Sequence, residues 1–243
     1  MREHPILMKG PLVRATLEGR KTQTRRPLRN QPPSGYHLVR VCGPWAEFEN
    51  DAPTLAKYST KSPLGETGDR LWVRETFAIV HPCRDCETGY VDDIKQPSVI
   101  PKDNAGGYWV PWYRSDWKGD DDTERGFQWT PSIHLPRWAC RLVLPLVSVR
   151  VERVQDITEE DAIAEGVPHN SDRPIDKMWC DTCLGHGIVE RFAMGTVDVD
   201  DCTECDTAQK LFRNIWVHLY GQEAWDLNPW VWVAEWKHIE ART

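Results

Sequence analysis

The sequence predicts an α+β fold carrying a four-cysteine zinc knuckle, and three observations lead there. Residues 70–78, 140–154 and 230–239 either alternate between apolar and polar side chains or are apolar on both faces, which is how strands read. Residues 206–220 place Ala208, Leu211, Phe212, Ile215, Trp216, Leu219 and Tyr220 at alternating three- and four-residue spacing, the stripe of an amphipathic helix. Cys180/Cys183 and Cys202/Cys205 are Cys-x-x-Cys pairs with eighteen residues between them, a spacing that suits one tetrahedral zinc.

Taken in order, residues 5–8 read as a short strand. Pro11 opens a helix, because a first-turn proline lacks only an N–H that the helix leaves unbonded. Leu12, Val13, Thr16 and Leu17 form its buried side, and Gly19 stops it. Residues 27–68 are rich in Pro, Gly, Ser and Asn and read as loop, with short strands at 36–42 and 55–59. Residues 70–78 read as one strand in which Glu75 shares a face with Leu71 and Val73. A carboxylate there meets a cation, carries a raised pKa, or faces solvent from a sheet edge.

Residues 81–129 read as an insertion. They hold Cys83/Cys86, an aromatic run (Tyr108, Trp109, Trp112, Tyr113, Trp117) and an acidic turn at Asp120, Asp121 and Asp122. A connection this long is more often a lid or a peripheral excursion than core. Residues 131–138 form a Pro-bracketed loop that presents His134 and Arg137. Residues 140–154 are two strands, or one strand bent at Pro145. Thr158 caps a helix, with Asp161 at the capping-box position and Glu159 and Glu160 at the positive end of the dipole. Asn228-Pro229 is a turn before the last strand, whose two apolar faces place it centrally in a covered sheet.

A chain of 243 residues holds one elaborated domain or two small ones. The formal net charge of −7 excludes broad binding to a phosphate backbone, but not a local basic pocket. No apolar run approaches the ~20 residues that span a membrane. No apolar core follows Met1-Arg2-Glu3-His4-Pro5, so the cytoplasm is expected. In that compartment the cysteine pairs favour metal over disulfides, and a zinc held by Cys180, Cys183, Cys202 and Cys205 is structural, since protein fills all four positions. Cys83/Cys86 is half a site, which either recruits Cys42, Cys140 or His81 or stays as reduced thiols. Of the thirteen tryptophans most serve packing, and some can stack on a base.

The most concentrated chemistry is Gly19-Arg20-Lys21-Thr22-Gln23-Thr24-Arg25-Arg26. A charge run is commonly a solvated face, and cations after a helix complement its dipole. The other reading is a site for an anionic or carbonyl-bearing ligand. Repulsion from Arg20, Arg25 and Arg26, together with burial, lowers the Lys21 pKa, and a neutral lysine takes a proton from a hydroxyl. Lys21 and Thr24 lie three apart and touch if the segment is a helical turn or a tight loop.

Gly19-x-Lys21-x-x-Thr24-x-Arg26 resembles the signature of the ASCH domains, a branch of the PUA-like superfamily: Gly-x-Lys-x-x-[Glu or Thr]-x-Arg. The strand ending in Glu75, the loop at 131–138 and the run Asn228-Pro-Trp-Val-Trp-Val resemble phage and prophage members. The resemblance covers residues 4–80, 130–167 and 207–240. It leaves 81–129 and 168–206 as insertions in a single domain spanning 1–243. It implies a PUA-like mixed β-barrel flanked by helices, with a cleft for nucleic acid or modified nucleosides. Bacterial N4-acetylcytidine amidohydrolase members use a Lys, a Thr and a Glu, which correspond to Lys21, Thr24 and Glu75. Thr at position 24 matches that version of the signature and not the eukaryotic coactivator type. The length, the aromatic insertion and the zinc knuckle depart from those small enzymes. The resemblance implies a hydrolase acting on acylated pyrimidine nucleosides or nucleic acid, with Arg20, Arg25, Arg26, His134 and Arg137 as binding residues. The alternative is a module that binds RNA or DNA, or a ribonuclease, using the same basic cleft without acyl transfer.

Overall fold

Alternating apolar sequence makes a chain of many short strands and few helices. The computed structural model describes residues 1–51, 56–84, 91–117, 127–167, 182, 188–193 and 196–237. In chain order its elements are β1 (Glu3–Leu7), α1 (Gly10–Leu17), β2 (Gln23–Pro27), β3 (Tyr36–Cys42), β4 (Trp45–Asn50), β5 (Lys57–Lys61), β6 (Arg70–Arg74), β7 (Phe77–Arg84), β8 (Val91–Lys95), β9 (Val110–Tyr113) and β10 (Val143–Arg153). There follow α2 (Glu159–Ala164), β11 (Ile188–Ala193), β12 (Thr196–Asp201), α3 (Ala208–Tyr220), α4 (Gln222–Asp226) and β13 (Trp230–Trp236). The chain is mixed α+β. Among the described residues no group of strands closes into a barrel, and no helix is long and apolar enough to cross a membrane.

The chain divides into two compact units. The first is built from Met1–Glu18 and Asp69–Pro145. Here β1 runs parallel to β6, with Ile6 opposite Val73, and the first residues of β10 pair antiparallel with β6, Leu144 opposite Leu71. β7 pairs with β9 on one side and β8 on the other. The sequence from 70 to 78 is two strands rather than one. Glu75 and Thr76 interrupt it, because Phe77 switches its backbone pairing to Thr130 and β9. The aromatic run of the 81–129 segment packs on this second group: Trp112, Trp117 and Trp129 surround Ala78, Val80 and Phe127, and Trp109 and Tyr113 lie against Phe77 and Ile79. Edge-to-face rings dominate, with Phe127 5.1 Å from Trp129 and 5.4 Å from Trp112. Pro11 lies in the first turn of α1, and Gly19 follows the helix at φ 76°, a left-handed conformation that suits glycine.

The second unit is built from Gly19–Gly68 and Leu146–His238. β13 lies between β10 and β2, antiparallel to both. β3, β4 and β5 form a meander, and β11 pairs with β12 within the 168–206 segment. Of the two readings for 140–154, one strand holds, β10, and its pairing with β13 shifts register between Leu146 and Ser148. β4 and α4 went unpredicted. In Trp45-Ala46-Glu47-Phe48 the apolar Trp45 faces outward beside the small Ala46 and blurs the alternation, and the five residues of α4 carry no stripe. The basic run of 20–26 is the larger surprise. It is neither a helical turn nor a solvated loop but leads into β2, whose Thr24 and Arg25 pair with Ala234 and Val233. Long-range pairing and carboxylates far along the chain settle it there, and neither shows in a local window.

β13 separates two faces. Directly opposite residues share a face, so Val231, Val233 and Glu235 go with Gln23 and Arg25 on β2 and with Arg150 and Glu152 on β10. Val231 and Val233 pack there with Ile157, Ala162, Leu211, Phe212 and Trp216. Trp230, Trp232, Ala234 and Trp236 occupy the other face with Arg26, Thr24, Val149 and Val151. The two helices on the first face are tied at their ends. Thr158 accepts from the Asp161 N–H at 3.1 Å, and the Glu159 carboxylate accepts from the Ala208 and Gln209 N–H groups at 2.7 and 3.1 Å. A carboxylate on a helix N-terminus satisfies unbonded donors and complements the dipole. Glu159→Ala is therefore expected to cost about 1–2 kcal/mol of unfolding free energy. Urea titration of the wild type and the variant checks this.

Candidate functional site

Lys21 precedes β2 and is 1% exposed. Its backbone bridges to Glu165 at the end of α2, and the neighbouring Thr22 N–H donates to the Ala164 carbonyl at 2.8 Å. That register brings the Lys21 ammonium onto three acceptors: the Gln23 carbonyl at 2.6 Å, the Glu165 carbonyl at 2.7 Å and Glu165 Oε2 at 2.8 Å. An ammonium has three donors, so all are committed. The Gln23 carbonyl belongs to the peptide bond entering Thr24. Nζ also lies 5.8 Å from the centre of the Trp236 ring, which shares the Thr24 face. The Lys21 pKa is lowered from its ordinary value, first by burial and then by the charges of Arg26 and Arg25, while Glu165 opposes the shift.

Arg25 is 2% exposed and continues the cluster. Its Nη2 donates to Asp161 Oδ2 at 2.7 Å and to Glu152 Oε2 at 3.0 Å, and its Nη1 lies 3.6 Å from Glu165 Oε1. Arg150 pairs with Glu152 and Glu235 and reaches Asp161 at 3.4 Å. Carboxylates on β10 and at α2 thus hold Arg25 of β2, and Glu235 of β13 holds Arg150 of β10.

On the other face the pattern reverses. Thr24 is 1% exposed, and its hydroxyl has no hydrogen-bond partner among the described residues. The same holds for the indole nitrogens of Trp232 and Trp230. Trp232 stands one position along from Thr24, opposite Arg26. A buried polar group left unbonded costs about 1–3 kcal/mol, so the neighbouring Thr24 and Trp232 groups are where a ligand or ordered water would complete the bonding.

The remaining residues expected at the site lie as follows. Arg20 is exposed and Arg26 half-buried, with Arg26 Nη1 donating to the Arg25 carbonyl at 3.1 Å. Glu75 belongs to the first unit and is 2% exposed. Of the readings open for it, the cation partner holds. Arg141 grips both its oxygens, Nε at 2.8 Å and Nη2 at 3.0 Å, and the Ser115 hydroxyl donates to Oε2 at 2.6 Å. Arg141 also lies 3.9 Å over the Tyr113 ring and pairs with Asp116, and burial pushes the Tyr113 phenol up. Arg137 is paired with Glu3 at 2.8 Å, and His134 is exposed in a short 3₁₀ turn.

Cys202 and Cys205 are buried in the cluster around Leu211 and Val233, and the Cys205 N–H donates to the Cys202 carbonyl at 3.4 Å in a turn. Cys180 and Cys183 lie outside the described residues, as does Cys86. Sequence reasoning missed Glu165, the carboxylate on Lys21, and with it Glu152 and Asp161 as partners of the basic run. It also missed Glu235 as the partner of Arg150, for which a signal existed: Glu235 is the only charge within Trp230–Trp236. Comparisons with protein-family models, with curated proteins and with solved structures gave no match.

The depressed Lys21 pKa gives a signed expectation. Between that pKa and the ordinary 10.5, the unfolded chain binds a proton that the folded chain does not. The Lys21 contribution to stability therefore rises with pH across that window and is constant below it. Urea unfolding of the wild type and of Lys21→Met across alkaline pH measures this, the difference between the two growing in favour of the wild type as pH rises.

Proposed function

We propose that the Thr24 face handles an acylated pyrimidine, nucleoside or polymer-borne, by acyl transfer to the Thr24 hydroxyl. The observation that carries this reading is that hydroxyl: buried, without a partner among the described residues, and three positions along the chain from a buried lysine whose pKa is held down. The resemblance to the ASCH signature points the same way, and a PUA-like fold is part of the same proposal. Trp232 and Trp236 offer ring surfaces for a base, and the Trp232 N–H group offers a donor to its acceptors.

The chemistry begins with a proton. As the acyl group is engaged, the Lys21 proton passes along its 2.8 Å hydrogen bond to Glu165 Oε2. The neutral amine then takes the Thr24 proton as the oxygen attacks the acyl carbon. The C–O bond forms, the C–N bond to the ring amine breaks, and the proton goes to the leaving nitrogen. Water then adds its hydroxyl to the acyl group, and its hydrogen returns to Thr24. This gives Glu165 the proton-exchanging role and leaves Glu75 as the anchor of the Arg141 cluster.

A zinc on Cys180, Cys183, Cys202 and Cys205 belongs to the same proposal. The buried Cys202–Cys205 turn fits half of such a site, and a metal there would brace the chain leading into α3.

One observation favours a second reading, in which the chain binds nucleic acid without turnover. All three Lys21 hydrogens are already committed, so the amine is a finished structural contact until Glu165 takes a proton. The experiment that decides is turnover of N4-acetylcytidine and a short acetylated RNA by the parent, Thr24→Val and Glu165→Gln. Acyl transfer predicts cytidine release by the parent. It also predicts loss of about 10²-fold or more in each variant, the range for removing a nucleophile's hydroxyl or a proton-transfer partner. Parent activity that survives in Thr24→Val excludes acyl transfer. Absence of turnover with RNA binding that weakens steeply with salt selects the binding reading.

A further inference from the structure

The second unit contains a cavity that shares no residue with the Thr24 site. It lies at the opposite end of the β2–β13–β10 group from Lys21, where β2 and β10 finish and β13 begins, with α3 and α4 over it. Its volume is about 540 Å³, within the range of small-ligand sites, and Trp216, Tyr220, Arg153, Pro27, Pro33 and Pro229 are among its walls.

The walls are fixed before any ligand arrives. Gln31 pins the proline-bearing loop to β13: its amide nitrogen donates to the Leu28 and Trp230 carbonyls at 3.1 and 2.9 Å, and its oxygen accepts from the Trp230 N–H at 2.8 Å. Across the cavity Arg153 donates from Nη1 to the Asn228 carbonyl at 2.8 Å and lies 4.2 Å over the Trp230 ring. That bond fixes the guanidinium while engaging, among the described residues, one of its nitrogens.

Trp216 is 3% exposed, and its indole nitrogen has no partner among the described residues. An indole N–H only donates, so what completes it must be an acceptor. The Tyr220 ring, 4.6 Å from that of Trp216, is 41% exposed and extends the aromatic wall outward. The cavity therefore offers flat aromatic and proline surfaces, one donor without an acceptor, and one guanidinium.

We propose that this cavity binds a small planar aromatic anion. The ring packs against Trp216 and Tyr220, a ring acceptor takes the Trp216 N–H, and a carboxylate or phosphate faces Arg153. A nucleoside monophosphate and an aromatic carboxylate share this chemistry, and the experiment separates them.

Calorimetric titration of the full chain with cytidine monophosphate, adenosine monophosphate and indole-3-acetate is the test. Cytidine, indole and inorganic phosphate serve as incomplete probes. At least one anionic probe is expected to saturate, and its incomplete counterparts to bind about tenfold more weakly or worse. The probe class that saturates names the source. Arg153→Gln is expected to weaken binding about tenfold or more, and Trp216→Phe, which keeps the ring and loses the donor, by several-fold. Ala224→Trp, on half-buried α4, fills the cavity and is expected to remove binding while cooperative thermal unfolding shows a folded chain. Thr24→Val is expected to change nothing, so failure here is distinct from failure of the acyl-transfer reading. The proposal is overturned if no probe saturates, if Ala224→Trp binds like the parent, or if Thr24→Val removes the binding.

Discussion

The contact between Lys21 and Glu165 governs the second unit. A buried ammonium is tolerated only when every donor finds an acceptor and a negative charge stands beside it. Here two carbonyls and one carboxylate meet that demand. Because one carbonyl and the carboxylate belong to Glu165, the end of α2 is fixed on the start of β2. The other Glu165 oxygen faces Arg25, and Arg25 in turn holds Glu152 and Asp161. Removing one member leaves its partner as an uncompensated buried charge, which typically costs about 3–5 kcal/mol. The cluster therefore fixes register rather than adding net stability: β2 cannot slip by one residue without turning Arg25 away from its carboxylates.

That register sorts the chemistry between two faces of β13. On one face every charged group has an opposite, and the helices close over it. On the other, Thr24, Trp230 and Trp232 keep polar atoms with nothing to bond. Arg25 Nε and Glu165 Oε1 are also without a hydrogen bond among the described residues, so what supports placing the chemistry on the Thr24 face is that its unbonded atom is a hydroxyl, a group that can act as a nucleophile. Lys21 belongs to both environments, bonded to Glu165 of one and lying over Trp236 of the other. It is the group through which a proton can pass between them.

Much of the scaffold was legible in the sequence because its signals are local. Tyr36–Cys42 emerges as the strand its alternation suggested, and α3 carries the stripe read from Ala208, Leu211, Phe212 and Trp216. Thr158 caps α2, and the doubly apolar last strand is central. The candidate site was half legible. The run from Lys21 to Arg26 stood out by charge, but its strand conformation depends on Val233 and Ala234, more than two hundred residues later. Glu165 looked like an ordinary helix-end carboxylate, and only folding puts it on Lys21. Glu75 was recognised as a carboxylate in an apolar strand, yet its partner Arg141 lies 66 positions away. Such pairings follow topology, and a local pattern carries no trace of them.

The central claim is that the Thr24 oxygen becomes acylated. Acid quenching of the protein mixed with N4-acetylcytidine, followed by digestion and peptide mass spectrometry, measures that directly. The account predicts one added acetyl group on the peptide that carries Thr24, present before steady state and absent from Thr24→Val. Release of cytidine with no acetyl group on the chain, or with the acetyl group on another peptide, would contradict it.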